Sequence, residues 1–112
     1  MTAITITVPK SQAETWYEEI KEAARQDLSL FFKVPNLPVN VNLSDKCYVI
    51  IDNQIIGYHL IKGLYKTESD WTCQITKTKW SAGKYIIRDA RSWTPIEPIK
   101  SKSHRGFRYY ND

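Results

Sequence analysis

Cationic and aromatic side chains alternate near the C-terminus of the chain, and this combination suits the recognition of polyanions. Arginine and lysine neutralise phosphates, while aromatic rings and guanidinium planes stack on unpaired bases. We therefore predict a nucleic-acid-binding surface, for RNA or for a modified base or nucleotide. Its predicted residues are Trp93, Arg88, Arg91, Lys100, Lys102, Arg105, Arg108 and Tyr109.

Trp93 is the preferred stacking residue, because its position between Ser92 and Pro95 predicts an extended loop over residues 93–99. Tyr109 has two interpretations. It stacks on a base, or it turns inward with Phe107 in a last strand whose Arg108 and Tyr110 face water.

Arg88 and Arg91 flank Asp89 and also have two interpretations. A surface ion pair contributes under about 1 kcal/mol to stability. Alternatively, the two guanidinium groups clamp a phosphate, since arginine presents a fixed fork of donors.

The charge of the chain is distributed unevenly between its two halves. Residues 1–61 carry a net charge of −2, and residues 62–112 carry +6. A basic half is typical of a protein with a polyanion partner. The alternative is a solvated lysine-rich surface.

The sequence favours a protein without catalytic activity. Neither His59, in a strand-like run, nor His104, in the basic tail, has a nucleophile or a paired carboxylate beside it. Glu97 is the one tail carboxylate before Asp112 that suits a general base. Cys47 and Cys73 lie in apolar runs without metal-ligand spacing, so we predict buried free thiols, no metal and no cofactor. The alternative is a disulfide between neighbouring strands.

The first quarter of the chain predicts a strand followed by a helix. Residues 2–8 alternate between apolar and threonine side chains, as a half-buried strand does. Ser11 and Glu14 form a capping-box pair, which predicts a helix from this point to about Asp27. Trp16 and Tyr17 are predicted to pack in the core.

The middle of the chain predicts a loop and then a hairpin. Pro35 and Pro38 disfavour helix, and residues 39–43 alternate as a short edge strand would. Residues 47–51 and 54–61 are two apolar runs separated by Asp52 and Asn53, which tolerate the left-handed backbone of a two-residue turn. Gly57 predicts a bulge or the close approach of another backbone.

Further strands are predicted at residues 71–77 and 84–89, which gives five or six strands and one main helix in 112 residues. This length fits a single domain, residues 1–112. Many short strands with little helix favour a small β-barrel-like α+β domain.

Three stretches resemble the PUA-like superfamily, which includes the ASCH and EVE domains. They are Asp-Lys-Cys-Tyr-Val at 45–49, Gln-Ile-Ile-Gly-Tyr at 54–58 and Gly-Lys-Tyr-Ile-Ile-Arg at 83–88. The resemblance covers about residues 40–90. It implies a small, mostly antiparallel pseudo-barrel that binds RNA or modified bases.

The Gly-x-Lys-x-x-Glu-x-Arg signature of ASCH domains is missing, so no site residue or activity is transferred from that family. A hydrolase of ASCH type that acts on a nucleoside or nucleotide is one alternative. Another is a small phage or mobile-element protein that binds a host protein through Trp93, Tyr109 and Tyr110.

No apolar run approaches the roughly 20 residues of a membrane helix. The N-terminus, MTAITITVPK, lacks the charged and apolar regions of a signal peptide. We therefore expect a cytoplasmic protein without a membrane partner.

Overall fold

The computed structural model describes residues 2–27, 29–72 and 79–111, and these residues form one α-helix and eight strands. A 3₁₀ turn at Lys10–Gln12 precedes the helix. The α+β class is therefore confirmed. The elements are β1 (Thr2–Thr7), α1 (Ala13–Arg25), β2 (Ser29–Val34), β3 (Lys46–Ile51), β4 (Gln54–Thr67), β5 (Trp71–Thr72), β6 (Lys79–Trp80), β7 (Gly83–Lys100) and β8 (Phe107–Asn111).

Six of these strands form one sheet in the order β2-β7-β4-β3-β1-β8. All neighbours are antiparallel except β1 and β3, which run parallel. The short strands β5 and β6 pair separately. The remainder of the strand predicted at 71–77, including Cys73, lies outside the described residues.

The described sheet does not close into a barrel, because β2 and β8 remain its edges. Pro35 directly follows β2 and has no backbone N–H with which to extend a ladder. The two edges nevertheless approach each other: a Cβ on Gly106 would lie 3.3 Å from Pro35 Cδ. The Tyr109 hydroxyl accepts hydrogen bonds from the Val39 and Asn40 N–H groups. Side-chain contacts therefore link the edges where a barrel would have strand pairing.

The predicted hairpin is confirmed as β3 and β4. Asp52 and Asn53 have φ values of 53° and 59°, as a two-residue turn of the primed type requires. The β3–β4 register shifts between Val49 and Ile50, which leaves a bulge next to Gly57. A Cβ on Gly57 would lie only 2.6 Å from the Thr94 carbonyl oxygen, so the predicted close backbone approach is also confirmed.

The predicted capping box is wrong. Ser11 lies in the 3₁₀ turn, and the N-cap of α1 is Gln12, which makes no side-chain capping hydrogen bond. The Gln12 N–H instead donates to the Pro9 carbonyl oxygen. Trp16 is buried as predicted, whereas Tyr17 is exposed and touches it edge-on.

Two further predictions fail in irregular or proline-containing segments. Residues 39–43 form no strand, and Val39 is 83% exposed. Residues 93–99 form no loop but belong to β7, in spite of Pro95 and Pro98. Because β2 pairs only with residues 84–89, the second half of β7 is locally an edge, where prolines are tolerated.

Side chains alternate across the strands, so the sheet has two distinct faces. The face that α1 covers, here called the covered face, carries the main core. Its buried residues include Ile4, Ile6, Trp16, Ile20, Cys47, Val49, Ile61, Ile86 and Ala90. The opposite face, here called the open face, carries a smaller cluster of Ala3, Tyr48, Ile50 and Ile55. No described helix packs on the open face.

Candidate functional site

Arg88 lies under the helix and is not part of the surface to which the sequence assigned it. It is 3% exposed, and its register partners are Leu30 on β2 and Ile61 on β4. Its Cζ lies 6.0 Å from the centroid of the Phe32 ring. The structure therefore separates Arg88 from the exposed cations of the C-terminal segment.

Trp93, the preferred stacking residue, also turns toward the helix. Its half-buried ring meets Trp16 edge-on at 5.1 Å between centroids and lies 4.8 Å from the His59 ring. It also covers Gly57, because a Cβ there would lie 2.6 Å from Trp93 Cη2. Trp93 therefore packs against the main core.

His59 on β4 is fully buried between these groups. Desolvation, together with the Arg88 charge, lowers the pKa of His59 to about 3, so the ring is neutral at neutral pH. Its register partner Cys47 is a free thiol, as predicted, and burial raises its pKa to about 11. On α1, burial raises the pKa of Glu19, and the Arg88 charge partly opposes this. We call Trp16, His59, Arg88 and Trp93 the buried polar cluster.

Three tyrosines follow one another across the open face. The Tyr48 ring lies 5.6 Å from Tyr58 and 5.0 Å from Tyr110, measured between centroids. Tyr58 and Tyr110 are half-buried, and the Lys46 Nζ lies 4.8 Å from the Tyr58 ring centroid. The sequence-based prediction missed Lys46 and Tyr58. The alternation within 46–51 was the available signal, since it places Lys46 and Tyr48 on one side of the strand.

The exposed residues Lys100, Lys102 and Arg105 lie on or next to the segment that joins β7 to β8, here called the basic loop (residues 100–106). Asn53 anchors it, because its carbonyl oxygen and its Oδ1 accept the Ser101 and Ser103 N–H groups, each at 3.0 Å.

The basic loop then crosses the open face. His104 Nε2 lies 2.7 Å from Thr5 Oγ1, and the His104 N–H donates to Thr7 Oγ1. Thr5 is also the register partner of Arg108 on β8. Within the described part of the chain, none of the cations Lys100, Lys102, Arg105 and Arg108 pairs with a carboxylate.

The two remaining predicted residues lie elsewhere. Arg91 Nε is 3.5 Å from Asp27 Oδ1 and donates to the Ala24 carbonyl oxygen, so Arg91 makes a surface ion pair at the end of α1. Tyr109 is 47% exposed, but it lies on the side of β8 that faces away from Tyr110. Of the predicted cations, Arg108 therefore lies on the open face, Lys102 and Arg105 lie in the basic loop that crosses it, and Lys100 ends β7 on the side of the strand opposite Ile99. The remaining predicted residues, Arg88, Arg91, Trp93 and Tyr109, lie outside this site.

Fold and site together define a small α+β domain with a tyrosine-rich, basic open face and a buried polar cluster under its helix. Comparisons with protein-family models, curated proteins and solved structures found no match to this chain. Among the described residues, no three His, Cys, Asp or Glu side chains are grouped to hold a metal ion. The helix in the same part of the chain is too short and too polar to cross a membrane.

Proposed function

We propose that this protein binds single-stranded nucleic acid, RNA or a strand with a modified base, on its open face. One observation carries the proposal: the half-buried tyrosine rings share the open face with Arg108, and the basic loop is bonded to Thr5 and Thr7 of the same face. Phosphates need cations and unpaired bases need ring surfaces, and the two must lie side by side.

The positions of these groups indicate which part of the nucleic acid each of them contacts. Tyr58 and Tyr110 offer ring surface to bases, and a stacked base contributes about 1–3 kcal/mol. Arg108 and the basic loop contact the phosphates. Because Asn53 and Thr5 hold the basic loop in place, little of its flexibility is lost on binding.

The resemblance of residues 40–90 to PUA-like domains supports the same proposal, since members of that superfamily commonly bind RNA or modified bases. The approach of Gly106 to Pro35 supports a PUA-like pseudo-barrel, because it brings the two sheet edges together. A nucleoside hydrolase and a host-protein-binding module remain alternatives without an observation of their own. Glu97, the candidate base, is exposed on β7.

The first test is the salt dependence of oligonucleotide binding, measured by fluorescence anisotropy with single-stranded RNA and DNA. If four cations contact phosphates, log K should fall with log salt concentration with a slope of about −3. The triple variant Lys100→Ser, Lys102→Ser, Arg105→Ser should bring the slope to about −1. A matched control replaces Lys21, Lys66 and Lys79, which are exposed elsewhere. If both triple variants weaken binding equally, the loss of affinity reflects only the lower net charge of the protein. The assignment of binding to the open face would then be wrong.

The second test concerns stacking. Tyr58→Leu and Tyr110→Leu should each weaken binding about 5- to 150-fold, the affinity equivalent of one stacked base. Tyr17→Leu is the control, because Tyr17 is an exposed tyrosine on α1, away from the open face. Unchanged affinity in both open-face variants contradicts the proposal.

A further inference from the structure

The buried polar cluster holds five polar atoms that have no hydrogen-bond partner. They are Trp16 Nε1, His59 Nδ1, His59 Nε2, Arg88 Nε and Arg88 Nη1. The Trp16 and His59 ring centroids are 6.1 Å apart, and Arg88 pairs with Ile61, which is two residues from His59 on the same side of β4. Buried polar groups are nearly always paired, so five unpaired atoms in one place require an explanation.

The positive charge of Arg88 makes the lack of a bonded partner more costly. Guanidinium stays protonated in proteins, and a buried charge is ordinarily balanced by a bonded partner. Glu19 on α1 is the carboxylate that acts on Arg88, but it forms no ion pair with the guanidinium. Among the described residues, no carboxylate therefore balances the Arg88 charge by a direct ion pair.

The unpaired atoms define the chemistry of the missing partner. Arg88 and Trp16 supply only donors, and the neutral His59 ring supplies one donor nitrogen and one acceptor nitrogen. A donor-rich set of this kind matches a group with several acceptor oxygens and one O–H. Hydrogen phosphate has that composition, whereas sulfate and carboxylate lack the O–H at neutral pH.

We propose that Arg88, His59 and Trp16 bind one phosphate group, either free phosphate or the terminal phosphate of a monoester. Arg88 neutralises the anion, and Trp16 donates from the helix side. The acceptor nitrogen of His59 takes the phosphate O–H. This site lies on the covered face and does not depend on nucleic-acid binding at the open face.

Glu19 on α1 affects how strongly the proposed site binds phosphate. Its carboxylate is half-buried on the helix and interacts with the Arg88 charge, so it competes with an incoming anion. Removing the Glu19 charge should therefore strengthen phosphate binding. A purely structural interaction between Glu19 and Arg88 would give no such gain.

Isothermal titration of the full chain with inorganic phosphate tests the site, with sulfate and acetate compared at ionic strength matched with chloride. We expect saturable binding of phosphate that exceeds that of sulfate, and at least a tenfold loss in Arg88→Met. Arg91→Met is the matched control on the same strand, and it should bind as the wild type does. Phosphate also stabilises proteins non-specifically, so equal behaviour of wild type and Arg88→Met overturns the proposal.

Two further measurements remain informative if Arg88→Met does not fold. Glu19→Gln should bind phosphate several-fold more tightly, and the Nε–H resonance of Arg88 in the wild-type protein should shift on titration. Absence of both effects overturns the proposal. If a nucleoside monophosphate binds more tightly than inorganic phosphate, the ligand is a phosphate monoester. If the two bind with equal affinity, the ligand is free phosphate. If neither compound binds, the proposed site is contradicted.

Discussion

The two faces of one sheet use the same residue types in opposite ways. On the covered face, Arg88 is buried under α1, and the half-buried Trp93 packs against Trp16. On the open face, Arg108 and Tyr110 lie on the edge strand β8, which pairs only with β1, and they keep contact with solvent. Residue type alone therefore does not identify a binding surface. The position of the helix and the side of each strand decide which cations remain available to a ligand.

Replacing Trp93 should have the largest effect and tests the covered side of this comparison. Trp93→Ala removes ring contacts with Trp16 and His59, and loss of a large core aromatic costs about 3 kcal/mol or more in unfolding free energy. Urea denaturation measures this directly. At temperatures where the variant stays folded, its affinity for oligonucleotides should equal that of the wild type.

The opposite result for Trp93→Ala would contradict its assignment to the core. A variant with unchanged unfolding free energy but weakened oligonucleotide binding would return Trp93 to the stacking role that the sequence predicted. Tyr110→Ala provides the comparison on the open face, where the larger effect should fall on binding.

A methyl group at Gly57 should have the next largest effect, because Trp93 and β7 close over this position. The Cβ of Gly57→Ala would meet the Thr94 carbonyl oxygen and Trp93 Cη2 at 2.6 Å, so β4 and β7 must separate. Overpacking of this kind costs about 2 kcal/mol. Gly63→Ala is the control on the same strand, since its nearest contact is Ile87 Cδ1 at 3.7 Å. If the two variants unfold at the same urea concentration, the covered face is less tightly packed than described.

Local patterns in the sequence predicted the parts of the fold that local chemistry determines. Asp52 and Asn53 specify the β3–β4 turn through their own backbone preferences. Ile4 and Ile6 specify their strand by simple alternation. The burial of Arg88 could also have been predicted from the sequence, because Arg88 alternates with the apolar residues Ile86 and Ala90 on one side of β7.

Other features depend on partners that are distant in the sequence. Pro95 suggests a loop when read locally, but β7 continues through it because Gly57 on β4 pairs with it. The open face depends on β8 joining β1, which brings Tyr110 to Tyr48. No local period encodes either pairing. The cations near the C-terminus were therefore predictable, and so was the exposure of Tyr110, whereas Tyr58 and the contact between the rings were not.

Acidification should weaken the covered face through His59. The pKa of His59 is about 3 in the folded protein and close to 6.5 in the unfolded chain, so unfolding takes up a proton between these values. Stability from the neutral ring is complete above pH 6.5 and falls as the pH decreases. Its contribution is at most about 1.4 kcal/mol per pH unit, or about 1 kcal/mol between pH 6.5 and 5.5. Urea denaturation at several pH values measures it.

His59→Leu should remove this part of the pH dependence, while His104→Gln controls for the general effect of replacing a histidine. The relevant quantity is the slope of unfolding free energy against pH, since carboxylates contribute to acid unfolding in every variant. If His59→Leu keeps the wild-type slope between pH 6.5 and 5.5, the pKa of His59 in the folded protein is not lowered.

The smallest expected effect concerns Tyr109, which joins the segment after β2 to the edge strand β8. Tyr109→Phe removes the hydroxyl that accepts from the Val39 and Asn40 N–H groups and leaves the ring against Phe107. Because water can replace the hydroxyl at this exposed edge, the cost should be about 1 kcal/mol or less. Hydrogen exchange at the two amides should accelerate, whereas Tyr17→Phe should leave both rates unchanged. A larger effect on oligonucleotide affinity than on stability would instead place Tyr109 with the ligand-binding residues, and the boundary between the two faces would then lie beyond β8.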